Sequence, residues 1–286
     1  MLIKTIRWLI SLVLALGLVV LAAALALQLG AQRALDTEHR YRAAAEQLPA
    51  LAPGMGAGLA TVNANGYRFR VRFAGFTGEP GRPAIILLHG FPVTSAMWLP
   101  LIEPLAAAGY RVLAPDQRGY SPTARPEGQQ AYEVSLLSED ILALADALAL
   151  AQFHLVGHDW GAVSGWFTTM NAPQRVASWT GLSVPHPAAF FEAVQNDPDQ
   201  RSRSRYVMLF VTPWLPEALF ANNDQAWLRT LYQDMSAEQR GEYLAMFAEP
   251  GAMTAALNWY RASAFNPRSV EDQAVEISTP TLFIWG

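Results

Sequence analysis

The sequence has no cysteine, a single lysine (Lys4), and charge on only 15% of its 286 residues. The absence of cysteine excludes a disulfide-stapled scaffold. A charged share well under the usual quarter or so, with 52% hydrophobic residues, excludes a disordered chain and a coiled coil. No basic excess is present either. The formal net charge is −4, which argues against nucleic acid as a partner, because phosphate binding needs a basic surface. The length allows one large domain or two modest ones, with material for a sizeable core.

What is present begins with a long apolar run. From Trp8 to Gln32 nothing is charged, and Trp8–Leu29 is apolar apart from Ser11, Gly17 and Gln28. As helix it would reach about 33 Å, enough for a bilayer core of roughly 30 Å. A signal-peptide core is only about 7–15 residues long. The sequence therefore predicts a single-pass membrane anchor over residues 1–32, with the lipid bilayer as partner. Ala22, Ala23, Ala24 and Ala26 leave signal cleavage as the alternative. Lys4 and Arg7 before the run, and Arg33, Arg40 and Arg42 after it, leave the orientation open. Residues 33–59 read as a short helical stalk and a linker punctuated by Pro49, Pro53, Gly54, Gly56 and Gly58.

The pattern then turns to period two. Tyr67, Phe69, Val71 and Phe73 alternate with arginines, and Asn65-Gly66 predicts a tight hairpin turn with Ala60–Asn63. Apolar runs follow at Ala84–Leu88, Arg111–Pro115, Phe153–Val156, Val176–Ser183 and Thr281–Trp285. Helical stretches at Ala96–Ala108, Val134–Ala149 and Gly161–Met170 lie between them. Buried strands alternating with helices predict an α/β fold with a mostly parallel sheet covered on both faces. The strand rhythm stops at His186 and resumes after Thr279-Pro280, so residues 186–266 read as a helical lid. It divides a core into residues 60–185 and 267–286.

Gly157-His158-Asp159-Trp160-Gly161 follows an apolar strand and opens a helix. This is the strand–turn–helix setting of a nucleophile elbow, with aspartate where serine is commonest. The glycines leave room for strand and helix to meet, and the helix N-terminus favours an ionised carboxylate at Asp159. Upstream, His89-Gly90-Phe91-Pro92 directly follows the strand Ala84–Leu88, where a sharp loop supplies an oxyanion donor. The candidate donors are the backbone N–H groups of Phe91 and Trp160, with His89 and Gly90 forming the loop. A metal reading of His154, His158 and Asp159 finds no third ligand, since His154 lies on a strand and His158 in a turn.

These motifs, together with DQRGYSP (116–122), VPHP (184–187) and TLFIWG (281–286), resemble the α/β-hydrolase family over residues 60–286. Within it they resemble the epoxide hydrolase and haloalkane dehalogenase branch. The resemblance implies displacement at a saturated carbon, an alkyl ester on Asp159, and no cofactor or metal. It also implies two lid tyrosines acting as acids on the epoxide oxygen. LNWYR places one at Tyr260, and YVMLFVTP places the other at Tyr206, with Val211 standing where the family often has glutamine. A dehalogenase would match at Trp160, but Phe91 offers no side-chain donor for a halide. Haloacetate chemistry would need an arginine close after the elbow, and none lies between Trp160 and Ala172. The expected substrate is a small apolar epoxide.

The five histidines, His39, His89, His154, His158 and His186, leave the family's water-activating base position unfilled, and no acid follows TLFIWG. The chain therefore reads as a fragment of a longer protein. A membrane-tethered, non-catalytic module with a vestigial elbow is the alternative.

Overall fold

In a computed structural model, residues 39–77, 81–264 and 277–285 are described, with isolated helical positions at 17, 18 and 22. The Trp8–Leu29 run, and with it the expected anchor, otherwise lies outside the described residues. Among the described residues no helix is long and apolar enough to cross a membrane.

Seven strands form one sheet. They are β1 (Ala57–Ala64), β2 (Tyr67–Ala74), β3 (Ala84–Leu88), β4 (Arg111–Pro115), β5 (Phe153–His158), β6 (Val176–Leu182) and β7 (Thr281–Ile284), in the order β1-β2-β4-β3-β5-β6-β7. Asn65 and Gly66, both at positive φ, turn β1 into β2 with Ala64 opposite Tyr67. This hairpin joins β4 antiparallel, and the strands from β4 to β7 run parallel. The sheet is therefore mixed at one edge and parallel at its centre.

Helices α3 (Val134–Ala147) and α4 (Trp160–Asn171) cover one face through Ile141, Leu144, Trp166 and Met170. On the other face Trp98 and Ile102, from a tight turn at Ser95–Trp98 and helix α2 (Leu99–Ala107), pack on Ile85 and Leu87. The single helix expected over Ala96–Ala108 is thus two pieces. Thr94 caps the tight turn, and Pro100 suits the start of a new helix rather than an interior.

The stalk, where described, does not stand away from the domain. Helix α1 (His39–Glu46) buries Tyr41 and Ala45, and Pro49 and Leu51 bond to the backbone of Thr61. From Pro187 to Ala264 the chain is helical: α5 (Pro187–Asn196), α6 (Pro198–Arg203), α7 (Tyr206–Phe210), α8 (Leu215–Leu231, broken at Asn222–Gln225), α9 (Ala237–Phe247) and α10 (Ala252–Ala264). Its inward residues share one apolar cluster with Val93, Tyr120 and Trp160 at the carboxyl ends of the central strands. In open α/β sheets that is where ligands bind.

Candidate active site

Strand β5 ends at His158 and helix α4 begins at Trp160, which leaves Asp159 alone in the turn at φ 53°, ψ −122°. A non-glycine residue is held at positive φ only where its surroundings fix it. Here they do so by close approach. A Cβ on Gly157 would come within 2.3 Å of the Gly161 carbonyl oxygen, and one on Gly161 within 2.3 Å of that of Leu88. A Cβ on Gly90 would lie 2.5 Å from the Asp159 Cβ. Only glycine at these positions lets β3, β5, α4 and the loop after β3 converge on one carboxylate.

The Phe91 N–H donates to Asp159 Oδ1 at 2.8 Å, and the adjoining Trp160 N–H, at the start of α4, also favours the charged carboxylate. Two donors and a helix N-terminus favour the anion, as the sequence leads one to expect. Burial outweighs them and pushes the Asp159 carboxyl above the usual carboxylate range. The two N–H groups and the neighbouring His158 supply the smaller effect.

Opposite this carboxylate stand aromatic rings. Tyr260, 6% exposed on α10, lies edge-on to Trp160 at 4.9 Å and to Phe91 at 5.5 Å between ring centroids. Tyr206 opens α7, is 50% exposed, and lies 6.4 Å from the Tyr260 ring. The fold thus brings the two lid tyrosines to one wall. Burial first, and then the Asp159 charge, raise both hydroxyls above the ordinary phenol value. Phe210, Phe220 and Phe247 complete the wall around Phe91.

His89 holds the loop. It is fully buried, its Nε2 accepts from the Gln117 N–H at 3.0 Å, and its Nδ1 lies 3.0 Å from the Gly90 carbonyl oxygen. Burial lowers its pKa, so the neutral Nδ1–H tautomer satisfies both bonds. With both nitrogens engaged by backbone, His89 positions Gly90 and Phe91 rather than meeting a substrate. Gly90 contributes space.

His154 bonds Ser178 Oγ at 2.8 Å, and His186 caps α5 by accepting from the Ala188 N–H. His158 keeps a buried Nδ1 without a partner, and no described carboxylate pairs with it. Among the described residues no three histidine, aspartate or glutamate side chains gather as a metal site.

One residue of the site escaped the sequence reading. Tyr120 is buried with its hydroxyl unpartnered among the described residues, its ring 4.4 Å from His89, and its pKa raised by burial and then by the Asp159 charge. The signal was its place in DQRGYSP, which carried the resemblance but suggested no chemistry.

Comparison with known proteins gives the family. Residues 83–286 match the family model described as alpha/beta hydrolase fold. The chain is 36% identical to AB hydrolase superfamily protein YfhM of Bacillus subtilis (strain 168), covering 79% of each. It is 33% identical to human Epoxide hydrolase 4 over 73% of this chain, spanning 60% of that relative's length. The crystal structure of Epoxide Hydrolase A from Mycobacterium thermoresistibile superposes with a TM-score of 0.67 at 31% identity, covering 80% of this chain and 82% of that one. The family match over residues 83–286 and these relatives, with the sheet order, identify the chain as a hydrolase of the α/β-hydrolase fold family.

Proposed function

We propose that this chain carries the alkylation machinery of an epoxide hydrolase. The observation that carries this reading is the Asp159 carboxylate, bonded by the Phe91 N–H, with the Tyr260 ring packed on Phe91 and Trp160 at either side of it and Tyr206 beside Tyr260. A carboxylate oxygen of Asp159 attacks a ring carbon of the epoxide. The carbon–oxygen bond of the ring breaks, and the freed oxygen takes a proton from a tyrosine hydroxyl. The Asp159 charge is one reason both hydroxyls hold their protons. Alkylation removes that charge, so the tyrosines become more acidic just as an alkoxide needs a proton. The named relatives support an epoxide substrate, since one curated protein and one solved structure bear that activity in their names. Hydrolysis of the ester to a diol then needs a base and a water. The aromatic wall fits a small apolar epoxide. The uncharged Trp8–Leu29 run supports a single-pass tether to a lipid bilayer, with the catalytic side open.

The test is intact mass of the 286-residue chain after incubation with styrene oxide. One adduct of epoxide mass is expected, absent in Asp159→Asn. Replacing Tyr206 and Tyr260 together by phenylalanine is expected to slow single-turnover labelling about 10²–10⁴-fold, and either change alone much less. Labelling that persists in Asp159→Asn, or an unchanged rate in the double variant, overturns the assignment.

A further inference from the structure

The loop that follows Phe91 is bonded along its whole length. On the core side, the Ser95 N–H donates to Asp116 Oδ1 at 2.8 Å. Apart from short-range bonds within the loop, the other hydrogen bonds to it among the described residues come from the lid. The Tyr232 hydroxyl donates to the Pro92 carbonyl, the Thr94 hydroxyl to Glu242 Oε1 at 2.5 Å, and Gln239 Nε2 to the Ala96 carbonyl at 3.1 Å. Tyr232, Gln239 and Glu242 lie more than 130 positions along the chain from this loop, so nothing local accounts for the convergence.

Glu242 is the centre of this arrangement. It also accepts from Arg70 at 2.8 Å and from Arg72, while Arg70 pairs with Asp116 at 2.6 Å. Tyr41 of α1 adds a hydroxyl to Asp116 at 2.7 Å. Two arginines and two carboxylates therefore balance in a mostly buried cluster that joins α1, β2, the loop and the lid. Removing one carboxylate leaves an uncompensated buried charge. A cluster that only secured the lid could have been bonded anywhere on the core. This one closes on Pro92, Thr94 and Ala96, within five residues of the N–H that reaches Asp159.

We infer that Glu242, with Tyr232 and Gln239, is a lid clamp on the oxyanion loop, a positioning residue that sets the Phe91 N–H against Asp159. This rests on the reading of Asp159 as nucleophile. The lid thereby does more than supply the aromatic wall, because its seating fixes the geometry of the donor.

The test uses two readouts on Glu242→Gln and on Tyr232→Phe, the latter removing one hydroxyl and keeping the ring. Amide hydrogen exchange in residues 89–98 is expected to speed up at least about tenfold, while β5 and α4 stay protected. The limiting rate of styrene oxide labelling at Asp159 is expected to fall about 10–100-fold, with the half-saturating concentration unchanged, since misplacement of about 1 Å has effects of that size. Thr94→Ser is expected to behave as the parent and Thr94→Val as Glu242→Gln. Wild-type exchange and labelling in Tyr232→Phe and Glu242→Gln overturn the clamp. So does a change confined to the half-saturating concentration, which is what a lid that merely shapes the pocket would give. If the parent chain takes no label, the nucleophile reading fails and the exchange measurement still decides the clamp.

Discussion

At Asp159 the motif and the environment pull in opposite directions. The carboxyl is pushed above its ordinary range, chiefly by burial, against two N–H donors. A group with a raised folded-state pKa contributes stability at low pH and loses it as pH rises through that pKa. Ionised Asp159 therefore costs stability at neutral and alkaline pH. The Asp159→Asn variant is expected to melt higher than the parent at pH 8, at roughly 2–4 °C per kcal/mol for a domain of this size. The gap should shrink as pH falls towards the ordinary carboxylate range, and thermal melts across pH check it. A variant that melts lower at every pH would mean that the bonds to the carboxylate outweigh its desolvation. The residue was legible in the sequence, because glycine, aspartate and glycine sat between a strand and a helix. Its electrostatics were not legible, because desolvation comes from burial by the folded chain, which no short window of sequence contains.

Among the elements, the glycines separate two kinds of requirement. Gly161 opens α4 where a Cβ would meet the Leu88 carbonyl at 2.3 Å, whereas Gly241 lies in α9 with no atom within 4 Å of that position. Gly161→Ala is expected to lose about 3 kcal/mol or more, because two backbones must part. Gly241→Ala is expected to gain about 0.5–1 kcal/mol, the ordinary preference for alanine within a helix. Denaturant titration of both checks the contrast, and equal effects would contradict it. The buried strands were readable to within a residue or two, since β3 and β4 are uninterrupted apolar runs bounded by turn residues. The break between the turn at Ser95–Trp98 and α2 was passed over, although Pro100 was a local signal for a new helix start.

At the scale of the whole molecule, α1 is joined to the lid. Tyr41 is buried in the apolar cluster that contains Trp259 and Tyr260, and its hydroxyl reaches Asp116. Burial and then the Asp116 charge raise the Tyr41 pKa well above that of an ordinary phenol, so it stays a donor. A chain beginning at residue 38 should therefore leave the alkali-washed membrane fraction and fold, if Trp8–Leu29 is the tether. A chain beginning at residue 48 should be less stable by about 3 kcal/mol or more, having lost a buried aromatic ring and a hydrogen bond to a charged group. Equal melting of the two chains would show that α1 contributes nothing to the domain. Recovery of the expressed protein in the soluble fraction, without its first thirty residues, would point instead to signal cleavage.

By itself the sequence determined what local pattern can encode. Alternation gave the β1–β2 hairpin, apolar runs gave the central strands, and spacing within two short motifs placed Asp159 next to the Phe91 loop. Each is a property of residues within a few positions of one another, where backbone geometry and sterics act directly. The tertiary structure decided the rest. It packed α1 against the lid although its composition reads as a stalk, and it turned His89 into a buried prop for the loop. It also raised the pKa of a carboxylate that the helix terminus alone would lower, and set Glu242 between Arg70, Arg72 and Thr94. These outcomes depend on desolvation and on charges meeting across more than a hundred residues, and no window of sequence contains both partners.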